Sequence, residues 1–149
     1  MRSWVQTAAA ALIALALAAG TTASAQPALQ DFLTQQLDNR EVESADEGYA
    51  RVVGPLTGVL ADATTAPHAL SNLRVGREIR IVGVCDQNCR GLDLRVIDPR
   101  GRVVAYDARG NDHPVIDMTA ETFGTHTIEV GMRDCRAPRC RYAVNVYTR

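Results

Sequence analysis

The chain has 149 residues, of which 46% are hydrophobic and 22% are charged, and its formal net charge at pH 7 is −1. A chain of this length fits one domain, because domains cluster at roughly 100 to 150 residues. The charge balance lacks the excess of basic residues that nucleic-acid binding requires, so we expect no nucleic-acid partner.

Residues 1–25 have the pattern of a secretory signal peptide. Arg2 precedes an apolar run over 8–19, and the small residues Ala-Ser-Ala follow at 23–25. This pattern predicts cleavage before Gln26. The apolar run is shorter than the about 20 residues that span a bilayer. We therefore expect an exported chain of 124 residues, periplasmic or secreted, without a transmembrane span and with 15 basic and 17 acidic side chains.

Apolar residues at helical spacing follow the predicted cleavage site. Leu29, Leu33 and Leu37 recur at intervals of four residues, which predicts an amphipathic helix of modest length over 26–39. Four acidic residues then crowd the segment 40–48. That composition is typical of a solvated linker.

Beyond residue 48 the apolar residues recur with a period of two, which is the period of a β-strand. Seven such segments are separated by turns rich in Gly, Pro, Asp and Asn: 51–60, 78–84, 92–96, 102–106, 115–118, 125–130 and 142–147. Seven or eight short strands with no helical pattern between them predict an all-β fold, an antiparallel β-sandwich. The predicted organisation is a signal peptide (1–25), a helix with an acidic linker (26–48) and a β-sandwich domain (49–149).

Four cysteines remain in the exported chain, Cys85, Cys89, Cys135 and Cys140. In an oxidising compartment an even number predicts two disulfides. Of the three connectivities we favour Cys85–Cys89 and Cys135–Cys140, because each pair closes a short turn-like segment. Such short loops predict a local effect, with stabilisation at the low end of about 2 to 4 kcal/mol. A four-thiolate zinc site is the alternative, but neither pair has the usual C-x2-C spacing.

The segment 92–107 reads LDLRVIDPRGRVVAYD, and FGTHTIEV follows at 123–130. These stretches resemble the bacterial pre-peptidase C-terminal domains, in particular small exported proteins built like them, and the resemblance covers roughly 75–149. It implies a jelly-roll β-sandwich that acts as an accessory or binding module, takes calcium in some members and has no catalysis of its own. Two positions depart from the family pattern: Gly91 stands where an acidic residue is frequent, and His126 where Tyr is common.

Carboxylates cluster in the turns between the predicted strands. Alternation along 92–98 places Asp93 and Asp98 on opposite faces, so they do not share a site. Asp107, Asn111 and Asp112 lie in one loop and form the better candidate calcium site, since calcium binds carboxylate and carbonyl oxygens. The alternative is that these carboxylates cap turns or pair with arginines. Calcium is thus the one cofactor the sequence raises.

Arginines surround the second cysteine pair: Arg133, Arg136, Arg139 and Arg141. They form a candidate binding patch for an anionic envelope polymer, lipid head groups or an acidic partner protein. The alternative is a solvated hairpin turn, because Asp134 offsets part of the charge.

Catalytic constellations are incomplete in this sequence. The serines of the exported chain, Ser44 and Ser71, have no nucleophile-elbow motif around them. We therefore predict a non-catalytic accessory or binding module of the cell envelope or secretome, whose partner is an envelope protein or an anionic polymer. The alternative is a structural or assembly protein that docks on its partner through the N-terminal helix.

Overall fold

The computed structural model describes the backbone of residues 26–149 and the side chains from residue 32 onward. The predicted signal peptide and its cleavage site lie outside the described residues. The elements, in chain order, are α1 (Gln26–Asp46), β1 (Ala50–Leu60), β2 (Thr65–Leu70), β3 (Glu78–Cys85), β4 (Cys89–Ile97), β5 (Val103–Asp107), β6 (Val115–Thr119), β7 (His126–Cys135) and β8 (Cys140–Thr148). No helix within 26–149 has the length and the apolar character needed to cross a bilayer.

The eight strands form two four-stranded sheets, in the orders β1-β8-β3-β6 and β2-β7-β4-β5. Every paired strand is antiparallel to its neighbour. This strand order is that of a jelly roll, in which two four-stranded sheets face each other. The predicted all-β sandwich is confirmed. A turn at Asp98 joins β4 to β5 as a hairpin.

Strand β2 is the one element that the sequence pattern missed. Its residues, TAPHAL, contain Pro67 and follow a turn-rich stretch. Proline cannot donate to a ladder and is tolerated at the edge of a sheet. β2 is such an edge strand and pairs only with β7 within the described residues.

The core lies between the two sheets and follows the period of two. Leu92, Leu94 and Val96 of β4 are fully buried, as are Ile128 and Val130 of the neighbouring β7. Alternate residues of these strands therefore point away from the core, onto the outer face of the β2-β7-β4-β5 sheet.

Helix α1 is longer than predicted and packs against the protein itself. Leu33 and Leu37 are buried against Val84 and Ala143 of the β1-β8-β3-β6 sheet. The prediction of an acidic linker over 40–48 is wrong, because the helix continues to Asp46. Helix α1 thus packs on the outer face of one sheet, and no element among residues 26–149 covers the outer face of the other, which we call the open face.

Charged residues of the 40–48 segment make ion pairs, which explains why this stretch is ordered. Arg80 of β3 binds Glu47 at 2.7 Å and Asp117 at 2.7 Å. The guanidinium groups of Arg80 and Arg149 each lie 4.6 Å from the centre of the Tyr49 ring. These contacts hold the end of α1 against the sheet.

Disulfides join Cys85 to Cys89 and Cys135 to Cys140, the pairing favoured from the sequence. Cys85 and Cys140 belong to the β1-β8-β3-β6 sheet, whereas Cys89 and Cys135 belong to the other sheet. Each bridge therefore ties the two sheets together. Each short loop lies where the chain passes from one sheet to the other, so the bridges act locally at that crossing.

Candidate binding site on the open sheet

The carboxylate of Asp107 is engaged by groups of the protein. Its two oxygens accept hydrogen bonds from the guanidinium and backbone N–H of Arg109 and from the backbone N–H of Val115, at 2.7 to 3.2 Å. The Arg109 side chain beside it lowers the pKa of Asp107 to about 2. A calcium ion would have to displace these donors.

The other two residues of the predicted calcium site are also turned to local contacts. Asp112 pairs with the ring of His113 at 2.5 Å, and the Asn111 side chain accepts the His113 backbone N–H at 3.3 Å. Within 26–149 no group of three or more His, Cys, Asp or Glu side chains is arranged to hold a metal ion. The three residues share a loop, but their side chains serve that loop's own turns.

Asp98 shows the same turn-capping role. It accepts the backbone N–H groups of Arg100 and Arg102 and pairs with the Arg102 guanidinium at 2.7 Å. The hydrogen bond from the Arg102 backbone and its guanidinium lower the pKa of Asp98 below its ordinary value. The carboxylate thus stabilises the β4–β5 turn.

The predicted arginine patch divides between two surroundings. Arg133 forms an ion pair with Asp93 of β4, so its charge is offset. Arg136 and Arg139 are exposed in the loop closed by the second disulfide, and Arg141 is half-buried on β8. The four arginines therefore do not present one free positive surface.

Cross-strand rows of side chains cover the open face of the β2-β7-β4-β5 sheet. One row runs from Pro67 through Glu129 and Arg95 to Tyr106. The next row runs from Thr65 through Gly131 to Asp93. Tyr106 is 71% exposed, so the first row ends in an accessible aromatic ring.

A cavity of about 270 Å³ opens on this face. We call it the Asp93 pocket, and the residues that define it are Thr65, Asp93, Arg95, Glu129, Gly131 and Arg133. Arg95 and Glu129 face each other across the strands at 3.5 Å, a distance at which an ion pair is weak. The pocket therefore holds two positive and two negative side chains in close proximity.

Asp93 is far less exposed to solvent than the other charged residues of this pocket. It is only 6% exposed, and its Oδ2 accepts a hydrogen bond from Arg133 Nε at 2.5 Å. Its Oδ1 is buried and has no hydrogen-bond partner among the described residues. A buried acceptor without a partner costs about 1 to 3 kcal/mol. Because this oxygen has no contact with solvent, the acceptor that a ligand in the pocket can reach is Glu129, whose side chain is 27% exposed.

Two glycines shape the pocket. Gly131 leaves the floor open between Asp93 and Thr65, because a Cβ at this position would lie 3.5 Å from the Asp93 Cβ and 3.6 Å from the Thr65 Cγ2. A Cβ at Gly91 would lie 3.0 Å from the Arg133 Cβ. The absence of a side chain at 91 therefore allows Arg133 to approach Asp93.

In the sequence, Asp93 belongs to the turn carboxylates and Arg133 to the arginine patch. No motif marks Thr65, Glu129 or Gly131 as functional residues. Alternation along β4 and β7 does place Asp93, Arg95, Glu129 and Gly131 on outward positions. The missing information was the pairing register, which sets Gly131 opposite Asp93. Two register shifts near Gly91 fix that pairing, and bulges of this kind have no clear sequence signal.

The fold and the pocket define a jelly-roll β-sandwich with a charged, net-neutral cavity on its open sheet. No protein-family model matches the sequence, and no curated protein matches it. Solved structures of similar fold include the following two. One is PliG from Aeromonas hydrophila, a periplasmic lysozyme inhibitor of g-type lysozyme, at 13% identity and a TM-score of 0.48, covering 68% of this chain and 86% of that one. The other is the carbohydrate-binding module CBM36 in complex with calcium and xylotriose, at 11% identity and a TM-score of 0.38, covering 68% of this chain and 98% of that one.

Proposed function

We propose that the chain is an exported, non-catalytic binding module of the cell envelope or secretome, and that its ligand docks on the open face of the β2-β7-β4-β5 sheet. The observation that carries the proposal is the Asp93 pocket, which sets the exposed donors of Arg95 and Arg133 beside the partly exposed Glu129 carboxylate on that face. Structural carboxylates elsewhere in this protein, such as Asp98 and Asp107, have both oxygens satisfied. Among the described residues Glu129 has only the 3.5 Å contact with Arg95 and so keeps acceptor capacity for a donor from outside the chain.

Export is supported by the chemistry of the described residues. All four cysteines are in disulfides, which form and persist in oxidising, extracytoplasmic compartments. The signal-peptide pattern over 1–25 agrees with this, and it makes the proposed location periplasmic or secreted after cleavage before Gln26.

An accessory role is supported by the resemblance of 75–149 to pre-peptidase C-terminal domains. The alternative of a structural protein that docks through its N-terminal helix receives less support. The residues that made the helix a candidate docking element, Leu33 and Leu37, are buried against the protein's own sheet. The open sheet is the better candidate for a partner.

Site-specific photo-crosslinking in the producing cell tests this proposal. A photoreactive amino acid is placed at Thr65, beside the Asp93 pocket, and in a separate variant at Val52. Val52 is the matched control because it is also exposed, 53%, on an edge strand, but of the opposite sheet. The full chain with its leader is expressed, and crosslinked products are separated from the exported fraction.

We expect an exported protein that forms crosslinks to an envelope or secreted component from position 65 and not from position 52. Crosslinks from position 52 alone would contradict the assignment of the open sheet. Retention of the uncleaved chain in the cytoplasm would contradict export, and a substrate converted by the purified chain would contradict a non-catalytic role.

A further inference from the structure

The Asp93 pocket offers donors and acceptors side by side. The Glu129 side chain is 27% exposed and keeps acceptor capacity, and Arg133 uses only its Nε in the ion pair with Asp93, with 60% of its side chain exposed. The Arg95 side chain is 49% exposed, and its contact with Glu129 is long, at 3.5 Å. A ligand for this pocket therefore has to donate and accept hydrogen bonds at neighbouring atoms.

A hydroxyl group does both, because it has one donor and two acceptor lone pairs. Neighbouring hydroxyls of a sugar ring can donate to a carboxylate and accept from a guanidinium at the same time. A phosphate or carboxylate group accepts only and would bring a second acceptor against the Glu129 carboxylate. An ammonium or guanidinium group donates only and would face Arg95 and Arg133.

The charge of the pocket favours the same class. Its two arginines and two acidic side chains sum to zero, and each arginine has an acidic neighbour on the opposite strand. An anionic polymer or a cationic peptide would have to separate one of these pairs, which leaves a charge uncompensated. A neutral ligand leaves both pairs in place.

Tyr106 supplies an apolar surface in line with the pocket. It lies directly opposite Arg95, which is opposite Glu129. Two strand spacings separate Tyr106 from the β7 side of the pocket, or about 10 Å. An exposed aromatic ring at this distance can pack against the apolar face of a second ring of an extended ligand.

From these features we infer that the open face binds a neutral glycan, a chain of uncharged sugar rings, with one sugar in the Asp93 pocket and a neighbouring sugar on Tyr106. This inference rests on the proposed function and adds the chemical class of the ligand. Hydroxyl groups donate to the Glu129 carboxylate and accept from Arg133 and Arg95. Thr65 and Gly131 form the opposite wall and the floor.

Calorimetric titration of the exported chain (residues 26–149) tests the inference. The neutral probes are oligosaccharides of cellulose, xylan and chitin, and the charged probes are polygalacturonate and polylysine. Gly131→Val fills the floor of the pocket, and Tyr106→Ala removes the ring. Thr127→Val is the matched control, because Thr127 faces outward on the same strand but is not among the residues lining the pocket.

We expect at least one neutral oligosaccharide to bind, with an affinity that changes little up to about 0.5 M salt because no net charge is neutralised. Gly131→Val and Tyr106→Ala are each expected to lower the affinity by about tenfold or more, and Thr127→Val to leave it unchanged. Gly131→Ala serves as a second variant should the valine unfold the chain, since its Cβ makes only ordinary contacts.

Two results would overturn the inference. One refutes only the ligand class, and the other also refutes the binding site on the open sheet. Salt-sensitive binding of a charged probe that Gly131→Val abolishes, with no binding of neutral sugars, would refute the ligand class and keep the open sheet as the binding site. If no probe binds in a Gly131-dependent way and position 65 forms no crosslinks, both the ligand class and the proposed function fail.

Discussion

Asp107→Asn should destabilise the protein and remove part of its sensitivity to acid. Asp107 is 5% exposed and holds Arg109 to the backbone of β6 through Val115. Its pKa in the folded protein is about 2, against an ordinary 3.8, chiefly because of the hydrogen bonds from the Arg109 side chain. The charged carboxylate is therefore favoured by folding.

The size of the effect follows from this difference in pKa. One pKa unit corresponds to about 1.4 kcal/mol, so a shift of nearly two units sets an upper value of about 2.5 kcal/mol. The Arg109 side chain is 72% exposed, and solvent screening weakens such a pair. We therefore expect Asp107→Asn to lower the free energy of unfolding at pH 7 by about 1 to 2 kcal/mol.

The sign of the pH dependence is fixed by the lowered pKa. Because folding lowers the pKa of Asp107, its contribution is complete well above pH 3.8 and is lost as the pH falls through 3.8 towards 2. Urea unfolding at pH 7 and at about pH 3 measures it for the wild type and the variant. The variant should lose less stability on acidification than the wild type does.

Asp112→Asn is the matched control, since Asp112 lies in the same loop but is 44% exposed and pairs only with His113 in the described chain. A surface substitution of this kind changes stability by about 0.5 kcal/mol or less. Equal acid sensitivity of the Asp107→Asn variant and the wild type would refute the reasoning. So would an effect of Asp112→Asn as large as that of Asp107→Asn.

Three further outcomes are expected. Excess calcium should leave the melting temperature unchanged relative to EDTA, since Arg109 and Val115 already occupy the Asp107 oxygens; a rise in melting temperature that Asp107→Asn abolishes would show that the loop binds the ion. Replacing Cys135 and Cys140 with serine should lower the free energy of unfolding by about 2 kcal/mol, and an unchanged urea midpoint would contradict this. Burial lowers the pKa of His68, so stability should fall as the pH drops below about 6.5. His68→Gln should flatten that dependence, and an equally steep fall in the variant would contradict the assignment to His68.

Local patterns in this chain predicted the sandwich but not its edges. Alternation of apolar residues is strong in strands that are buried on one face, such as β4 and β7, and those were found. β2 escaped because its alternating residues, Ala66, His68 and Leu70, include only one large apolar side chain. Its strand conformation comes from the ladder with β7, which is a contact between distant parts of the chain.

The extension of α1 to Asp46 was not predicted for a related reason. The charged residues over 40–48 have the composition of a solvated linker, because the neighbouring sequence does not show which residues they pair with. Their partners lie far along the chain: Glu41 pairs with Arg51 on β1, and Glu47 with Arg80 on β3. The sequence shows the charges, but only the fold shows that they meet.

The Asp93 pocket lies next to two disulfides and to the register shifts at Gly91, which are far apart in the sequence or carry no sequence signal. Cys89 faces Cys135 across β4 and β7, and each is tied to the opposite sheet by its own disulfide. The register then shifts on either side of Gly91, which sets Asp93 opposite Gly131 rather than opposite a side chain. The bridges fix the end of the strand pair that carries Asp93 and Arg133. A rigid end of the sheet lowers the entropic cost of holding these side chains in place for a ligand, and this gives the two short disulfides a role that their sequence spacing alone does not indicate.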